Sequence, residues 1–250
     1  MPANQKRLTK KQRRILKQQG ILGENNVLTV NFGVDHSIKP MTDNQRVAFE
    51  SWKNGYNLML HGIAGTGKTF LALFFALKEV TQQSPSYKKV YIIRSTVPTR
   101  NQGFLPGSQR QKEAVYEEPY HEISTKIFNR VDSYEILKQK GLLEFRSTSF
   151  LRGVTLDDCI IVVDEVQNMS DGELHTIMTR VGENSKIIFC GDVKQDDLTS
   201  ERYNEESGLK DFLKVIASMN AFKFVEFQIE DIVRSKLVKS YIIARDKLGL

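Results

Sequence analysis

The stretch "GIAGTGKT" comprises Gly62, Ile63, Ala64, Gly65, Thr66, Gly67, Lys68 and Thr69. It satisfies the spacing G-x-x-x-x-G-K-[ST], a pattern with a physical purpose. The glycines let the backbone curl until successive N–H groups point at phosphate oxygens, and a helix beginning there adds its positive end. Lys68 then reaches the β- and γ-phosphates of a nucleotide, Thr69 offers its hydroxyl to Mg²⁺, and Phe70 opens the helix beside them. A glycine turn without chemistry is the competing explanation. The flanks argue against it, because apolar "LMLH" precedes the turn and amphipathic "TFLALFFALKEV" follows.

A second set of residues would complete the chemistry. "CIIVVDEVQN" is an apolar strand pattern ending in Asp164 and Glu165, at the carboxyl edge where open α/β sheets bind ligands. Asp164 is suited to hold Mg²⁺, and Glu165 to orient or deprotonate a water that attacks the γ-phosphate. "KIIFCGDVKQ" repeats the design with Gly191, Asp192 and Gln195. A neutral amide at Gln195 would sense the γ-phosphate or hold the attacking water, although a strand followed by a polar turn explains this stretch equally well. The four histidines, His36, His61, His121 and His175, are scattered, and Cys159 and Cys190 each lie in an apolar run. Zinc is therefore not expected, His61 is expected to pack beside the phosphate turn, and both cysteines are expected as buried thiols.

These residues need a frame. The segments "NLMLH", "KVYIIR", "LLEF", "CIIVVDE", "KIIFCGD" and "FKFVEFQ" recur along the chain, several of them separated by helical patterns. Near-continuous apolar strands covered by helices predict an α/β domain with a mostly parallel sheet. Ahead of the first strand, Thr42 or Asp43 can cap a helix that places Val47, Ala48 and Trp52 on one face and ends at Gly55. We expect a basic arm and linker over residues 1–39, with "VLTVNFGV" as a short strand or extended link, and the catalytic domain over residues 40–250.

The composition is that of a soluble protein, with 40% hydrophobic and 26% charged residues and no apolar run long enough to span a membrane. Its start has no apolar core after the positive charges, so a secretory signal is not expected and a cytoplasmic location is. The net charge of +6 is concentrated in Lys6, Arg7, Lys10, Lys11, Arg13, Arg14 and Lys17. Subtracting those seven charges leaves −1 for everything beyond residue 20. The basicity is an arm, suited to phosphate contact with nucleic acid or to remaining a solvated tail.

The phosphate turn, "DEVQ" and "GDVKQ", in this order, resemble the first motor domain of superfamily 1 helicases. "TDNQ" resembles their Q motif, and that likeness makes Gln45 the residue that selects ATP. "DIVRS" resembles the later motif whose arginine reaches the γ-phosphate, which makes Arg234 the candidate. Only 16 residues follow Arg234, whereas a second motor domain needs roughly a hundred or more, so a two-domain monomeric helicase is not expected. The truncated layout is similar to the PhoH-like family over about Thr42 to Arg245, through "GIAGTGKTFLA", "RSTVPTRNQGFLPG", "YEEPY", "FLRGVTLDDCIIVVDEVQN" and "DIVRSKLV". The family occurs in phage and bacterial genomes. Membership implies a three-layer RecA-like P-loop ATPase core, ATP and Mg²⁺ as cofactors, assembly into a homo-oligomeric ring, typically a hexamer, and a role in RNA metabolism.

On the helicase likeness, "RSTVPTRNQGFLPG" touches a single strand of RNA or DNA. Arg94, Ser95, Thr96, Thr99 and Arg100 suit backbone phosphates, Phe104 suits a base face, and Arg152 could line the same channel or a subunit contact. The competing explanation is a long structured loop with Phe104 buried and the arginines paired with acids. "YEEPYHEI" reads as a packing or assembly surface. The rival functions are an ATP-controlled module that regulates a partner nuclease, and a kinase using the same loop. "DEVQ" favours water as the acceptor over a second substrate. No further acidic cluster is left for an intrinsic two-metal nuclease.

Overall fold

A computed structural model describes residues 33–96, 109–151, 153–192 and 209–248. The compact unit that holds the site runs from Val34 to Leu250. In chain order its regular elements are α1 (Asp43–Lys53), β1 (Asn57–Gly62), α2 (Lys68–Val80), β2 (Lys89–Arg94), α3 (Gln109–Phe128), α4 (Ser133–Gln139), β3 (Leu143–Ser147), β4 (Cys159–Asp164), α5 (Asp171–Met178), β5 (Lys186–Gly191), α6 (Leu209–Ala217), β6 (Phe222–Phe227) and α7 (Lys236–Lys247). All six apolar segments of the sequence are strands.

The strands form one sheet in the order β3-β2-β4-β5-β1-β6, and every neighbouring pair is parallel. β5 therefore lies between the strand that feeds the phosphate turn and the strand that ends in Asp164. With strands about 4.8 Å apart, that separates the two functional strand ends by about 10 Å, room for a phosphate group and its water.

Alternation along the buried strands divides two packed layers. Ile161 and Val163 of β4, with Ile187 and Phe189 of β5, meet Leu174 and Ile177 of α5 and Leu209, Phe212 and Ile216 of α6. α2 packs on the sheet over β2, β4 and β5 and is buried from Leu71 through Leu77. A helix apolar on every side must be covered on every side. α1 supplies part of that cover, with the Trp52 ring stacked on Phe75 at 5.8 Å and the Phe49 edge against Phe75 at 4.9 Å.

Local chemistry sets the helix starts. The Thr42 hydroxyl accepts from the Gln45 backbone N–H at 3.3 Å, an N-cap that satisfies one of the helix's free donors. α1 buries Ala48 and Trp52 as the sequence leads one to expect, but Val47 is 38% exposed and Gln45 and Ser51 take the inward positions. The reason lies in Gln45, which is drawn inward by polar contacts that periodicity cannot see.

Candidate active site

Gly62 closes β1 at φ 112°. It lies so close to β6 that a Cβ would fall 2.2 Å from the Phe227 carbonyl oxygen. The chain then curls through Gly67, whose φ of 88° places it in the left-handed region as the N-cap of α2, a position any side chain would strain. Thr66 is fully buried and its hydroxyl donates to the Ile63 carbonyl at 2.9 Å, so these two residues brace the turn from beneath. Ala64, Gly65, Gly67, Lys68, Thr69 and Phe70 line a cavity of about 990 Å³.

Lys68 donates through Nζ to the carbonyls of Gly62 and Ile63 at 2.8 and 2.9 Å. Burial pushes its pKa down, against the pull of Asp192, Cys190, Glu165 and Asp164. Across the cavity, the Thr69 hydroxyl donates to Asp164 Oδ1 at 2.8 Å. This hydroxyl–carboxylate pair is suited to Mg²⁺, which is held by one or two carboxylates together with phosphate and water oxygens rather than by an all-protein cage. Among the described residues no group of three or more His, Cys, Asp or Glu could hold a metal alone. Asp164 is buried, and desolvation, followed by the neighbouring Glu165 charge, raises its pKa from 3.8 to about 6.

Glu165 sits at φ 56° just past the strand, an uncommon conformation for a residue with a side chain that turns it out of the strand direction. Gln167, to which the sequence reading gives no role, holds it there. Its Nε2 donates to Glu165 Oε2 at 2.5 Å while its Oε1 accepts from the Asp192 backbone N–H at 3.1 Å. A backbone N–H can only donate, which fixes the amide orientation and directs Nε2 at the carboxylate. The available signal was the fourth letter of "DEVQ". Asp192 also lines the cavity.

Gln45 is buried, with Nε2 donating to the Thr66 carbonyl at 3.1 Å and Oε1 accepting from the Met41 N–H at 2.8 Å. It lines the cavity together with Ile38, Pro40 and Met41, linking the phosphate turn to the segment in front of α1. Arg234 lines the cavity of its own chain, with its stem over Gly65. The preceding Val233 N–H donates to the Gly65 carbonyl at 3.1 Å, and Asp231 accepts from the Asn44 side chain at 2.7 Å and the Gln228 N–H at 2.9 Å. His61 is partly buried with its edge toward Phe224 at 6.2 Å. Burial lowers its pKa despite Glu226 nearby, consistent with a packed neutral ring. Cys159 and Cys190 are buried free thiols.

Two residues assigned to nucleic acid are placed elsewhere. Arg94 lines the nucleotide cavity. Burial opposes its charge, but Tyr120, Asp164 and Glu165 outweigh that and raise its pKa. Ser95 is buried. Both follow from β2 pairing with β4, which sets Arg94 opposite Asp164. Thr96 stays partly exposed, and its carbonyl accepts from the Tyr116 hydroxyl at 3.2 Å. Thr99, Arg100, Phe104, Arg152 and Gln195, together with the basic arm and "VLTVNFGV", lie outside the described residues. The "YEEPY" segment does more than pack: within α3, Tyr120 reaches the Asp164 carboxylate at 3.0 Å.

A parallel sheet, a glycine turn at the head of α2, and an acidic pair one strand removed define a P-loop NTPase of the RecA-like, three-layer kind. The PhoH-like protein family model matches residues 37–245, and the chain belongs to that family. It is 32% identical over 212 residues to the PhoH-like protein of Bacillus subtilis (strain 168), covering 84% of this chain and 65% of that protein. To the PhoH-like protein of Mycobacterium tuberculosis (strain ATCC 25618 / H37Rv) it is 30% identical over 211 residues, covering 83% of this chain and 58% of that one. The chain thus spans somewhat less than two thirds of the length of these relatives. Among solved structures, the large terminase from a thermophilic bacteriophage matches 81% of this chain and 50% of its own, with a TM-score of 0.48 at 12% identity.

Proposed function

We propose that the protein hydrolyses ATP with Mg²⁺ and couples the cycle to single-stranded nucleic acid, RNA above DNA. The observation that carries this reading is the convergence of Lys68, the Thr69–Asp164 pair, Glu165 and Arg234 on one cavity. Lys68 and the turn's N–H groups hold the phosphates, and Thr69 and Asp164 hold the ion, which neutralises phosphate charge when bound. Glu165, oriented by Gln167, takes the proton of the attacking water. Arg234 steadies the charge that develops on the γ-phosphate. Gln195, four residues after β5 in the chain, is assigned to the same phosphate, and Gln45, beside the segment of Ile38, Pro40 and Met41, to the base.

The placement of Arg234 over Gly65 of its own chain favours action within one subunit. Mixing inactive Lys68→Ala protein with inactive Arg234→Ala protein is then expected to recover no hydrolysis. Recovered turnover would move the arginine across a subunit interface.

Nucleic-acid contact is assigned to Thr96, Thr99, Arg100, Phe104 and Arg152, and to the basic arm of residues 1–20. A homo-oligomeric ring, taken as a hexamer, follows from the family likeness, and Leu237 and Tyr241 of α7 with Leu248 just after it, 81%, 64% and 72% exposed, offer apolar surface for a contact. The same exposed residues favour the second reading, an ATP-controlled module that docks on a partner nuclease without unwinding activity. A cytoplasmic location is proposed from the sequence; among the described residues no helix is long and apolar enough to cross a membrane. ATPase rates with single-stranded RNA, single-stranded DNA and neither, beside a solution mass, test these assignments together. Hydrolysis that responds to protein concentration but to neither nucleic acid would select the second reading.

A further inference from the structure

The Asp164 carboxylate is engaged at both oxygens. Oδ1 takes the Thr69 hydroxyl at 2.8 Å, and Oδ2 takes the Tyr120 hydroxyl at 3.0 Å. Tyr120 belongs to α3, a helix otherwise remote from the phosphate turn in sequence, and its side chain has no exposure to solvent. Its ring packs near Phe145 at 6.0 Å, so the phenol is delivered to Asp164 by the fold rather than by a mobile surface side chain. Burial first, then the Asp164 charge, keeps the phenol protonated far above its ordinary range, despite the Arg94 guanidinium beside it. A protonated phenol facing a carboxylate can only be the donor.

The arrangement has a mechanical consequence. The buried Asp164 carboxylate feels the charges of Lys68 and Arg94, and a direct ion pair with either would withdraw it from an incoming ion. Lys68 is occupied by two backbone carbonyls. Arg94 interacts with the same phenol that donates to Asp164. Arg94 is itself set from its other side, with its guanidinium 5.8 Å from the centre of the Tyr116 ring. With Thr69 on Oδ1 and Tyr120 on Oδ2, the rotation of the carboxylate is fixed from both sides.

We propose that Tyr120 is a positioning residue for metal binding, holding Asp164 so that it receives Mg²⁺ with the nucleotide. This rests on the reading of Thr69 and Asp164 as the ion-holding pair. Hydrogen-bond partners behind metal ligands commonly govern affinity as strongly as the ligands' own geometry.

The test is ADP affinity in EDTA and across a Mg²⁺ titration, read by calorimetry, for wild type and Tyr120→Phe. The substitution removes one oxygen and keeps the ring. The expected result is a rise of about tenfold in the Mg²⁺ concentration that gives half of the Mg²⁺-dependent gain in ADP affinity. ADP affinity in EDTA and the melting temperature stay at wild-type values. Tyr116→Phe, which loses a bond to the Thr96 carbonyl instead, leaves the Mg²⁺ titration unchanged. In Asp164→Asn, adding Tyr120→Phe produces no further loss. An unchanged Mg²⁺ titration in Tyr120→Phe, or an equal loss of ADP affinity in EDTA, overturns the role of Tyr120 alone. Wild-type protein that binds ADP equally well in EDTA and Mg²⁺ overturns the underlying metal reading as well.

Discussion

Two of the helices that reach the nucleotide cavity, α2 and α3, are held by different forces. α2 begins at Lys68 and is buried without interruption from Leu71 to Leu77, so apolar cover on both sides fixes its position. α3 buries Tyr120, Ile127 and Phe128, and adds to that packing a set of oriented polar contacts. Glu117, almost buried, accepts from the Tyr134 hydroxyl at 2.6 Å and from Lys138 Nζ at 2.7 Å, Tyr116 bonds to the Thr96 carbonyl, and Tyr120 bonds to Asp164. Pro119 within α3 gives up one helical hydrogen bond next to that tyrosine, a cost that packing and polar contacts must offset. Burial is non-directional and tolerates small displacements, whereas buried hydrogen bonds are directional and costly to leave unmade. The Lys68 side of the cavity therefore rests on bulk packing, whereas the Asp164 side adds a few oriented groups to it.

Substitutions can break that contrast at each level. The largest effect is expected at Lys68→Ala, which removes the side chain proposed to hold the phosphates; ATP turnover should fall by about a hundredfold or more, with nucleotide affinity reduced. Melting temperature measured alongside should hardly move, because packing and not Lys68 keeps α2 in place. Next, Glu165→Gln should keep ATP binding while turnover falls by about a hundredfold or more. Unchanged turnover would remove Glu165 from the chemistry.

Smaller effects test what holds each side together. Gly62→Ala drives a methyl group into the Phe227 carbonyl at a residue with φ 112°, and chemical denaturation should register a loss of about 2–4 kcal/mol. Glu117→Gln weakens two charge-assisted bonds between α3 and α4, and should cost about 1–2 kcal/mol. If the α3 side depends on orientation as argued, Glu117→Gln also loosens Mg²⁺-dependent ADP binding while leaving affinity in EDTA intact. An effect on stability alone would confine Glu117 to the α3–α4 contact.

The sequence by itself determined the local parts. The glycine–lysine–threonine turn, the acidic pair at the end of "CIIVVD" and six apolar runs are contiguous patterns, and contiguous patterns express periodicity, backbone freedom and residue chemistry directly. The α/β class followed from them, as did the burial of both cysteines. Tertiary structure alone decided which strand lies beside which, and with it the partners of single side chains. Parallel pairing of β2 with β4 turned Arg94 toward Asp164 and away from the surface. The close approach of β4 and β5 let Gln167 join Glu165 to the Asp192 backbone. The return of α3 brought Tyr120 to a carboxylate 44 residues further along the chain. A hydrogen bond between distant residues leaves no period in the sequence, because its energy depends on two atoms meeting at one distance and angle that only the folded chain supplies.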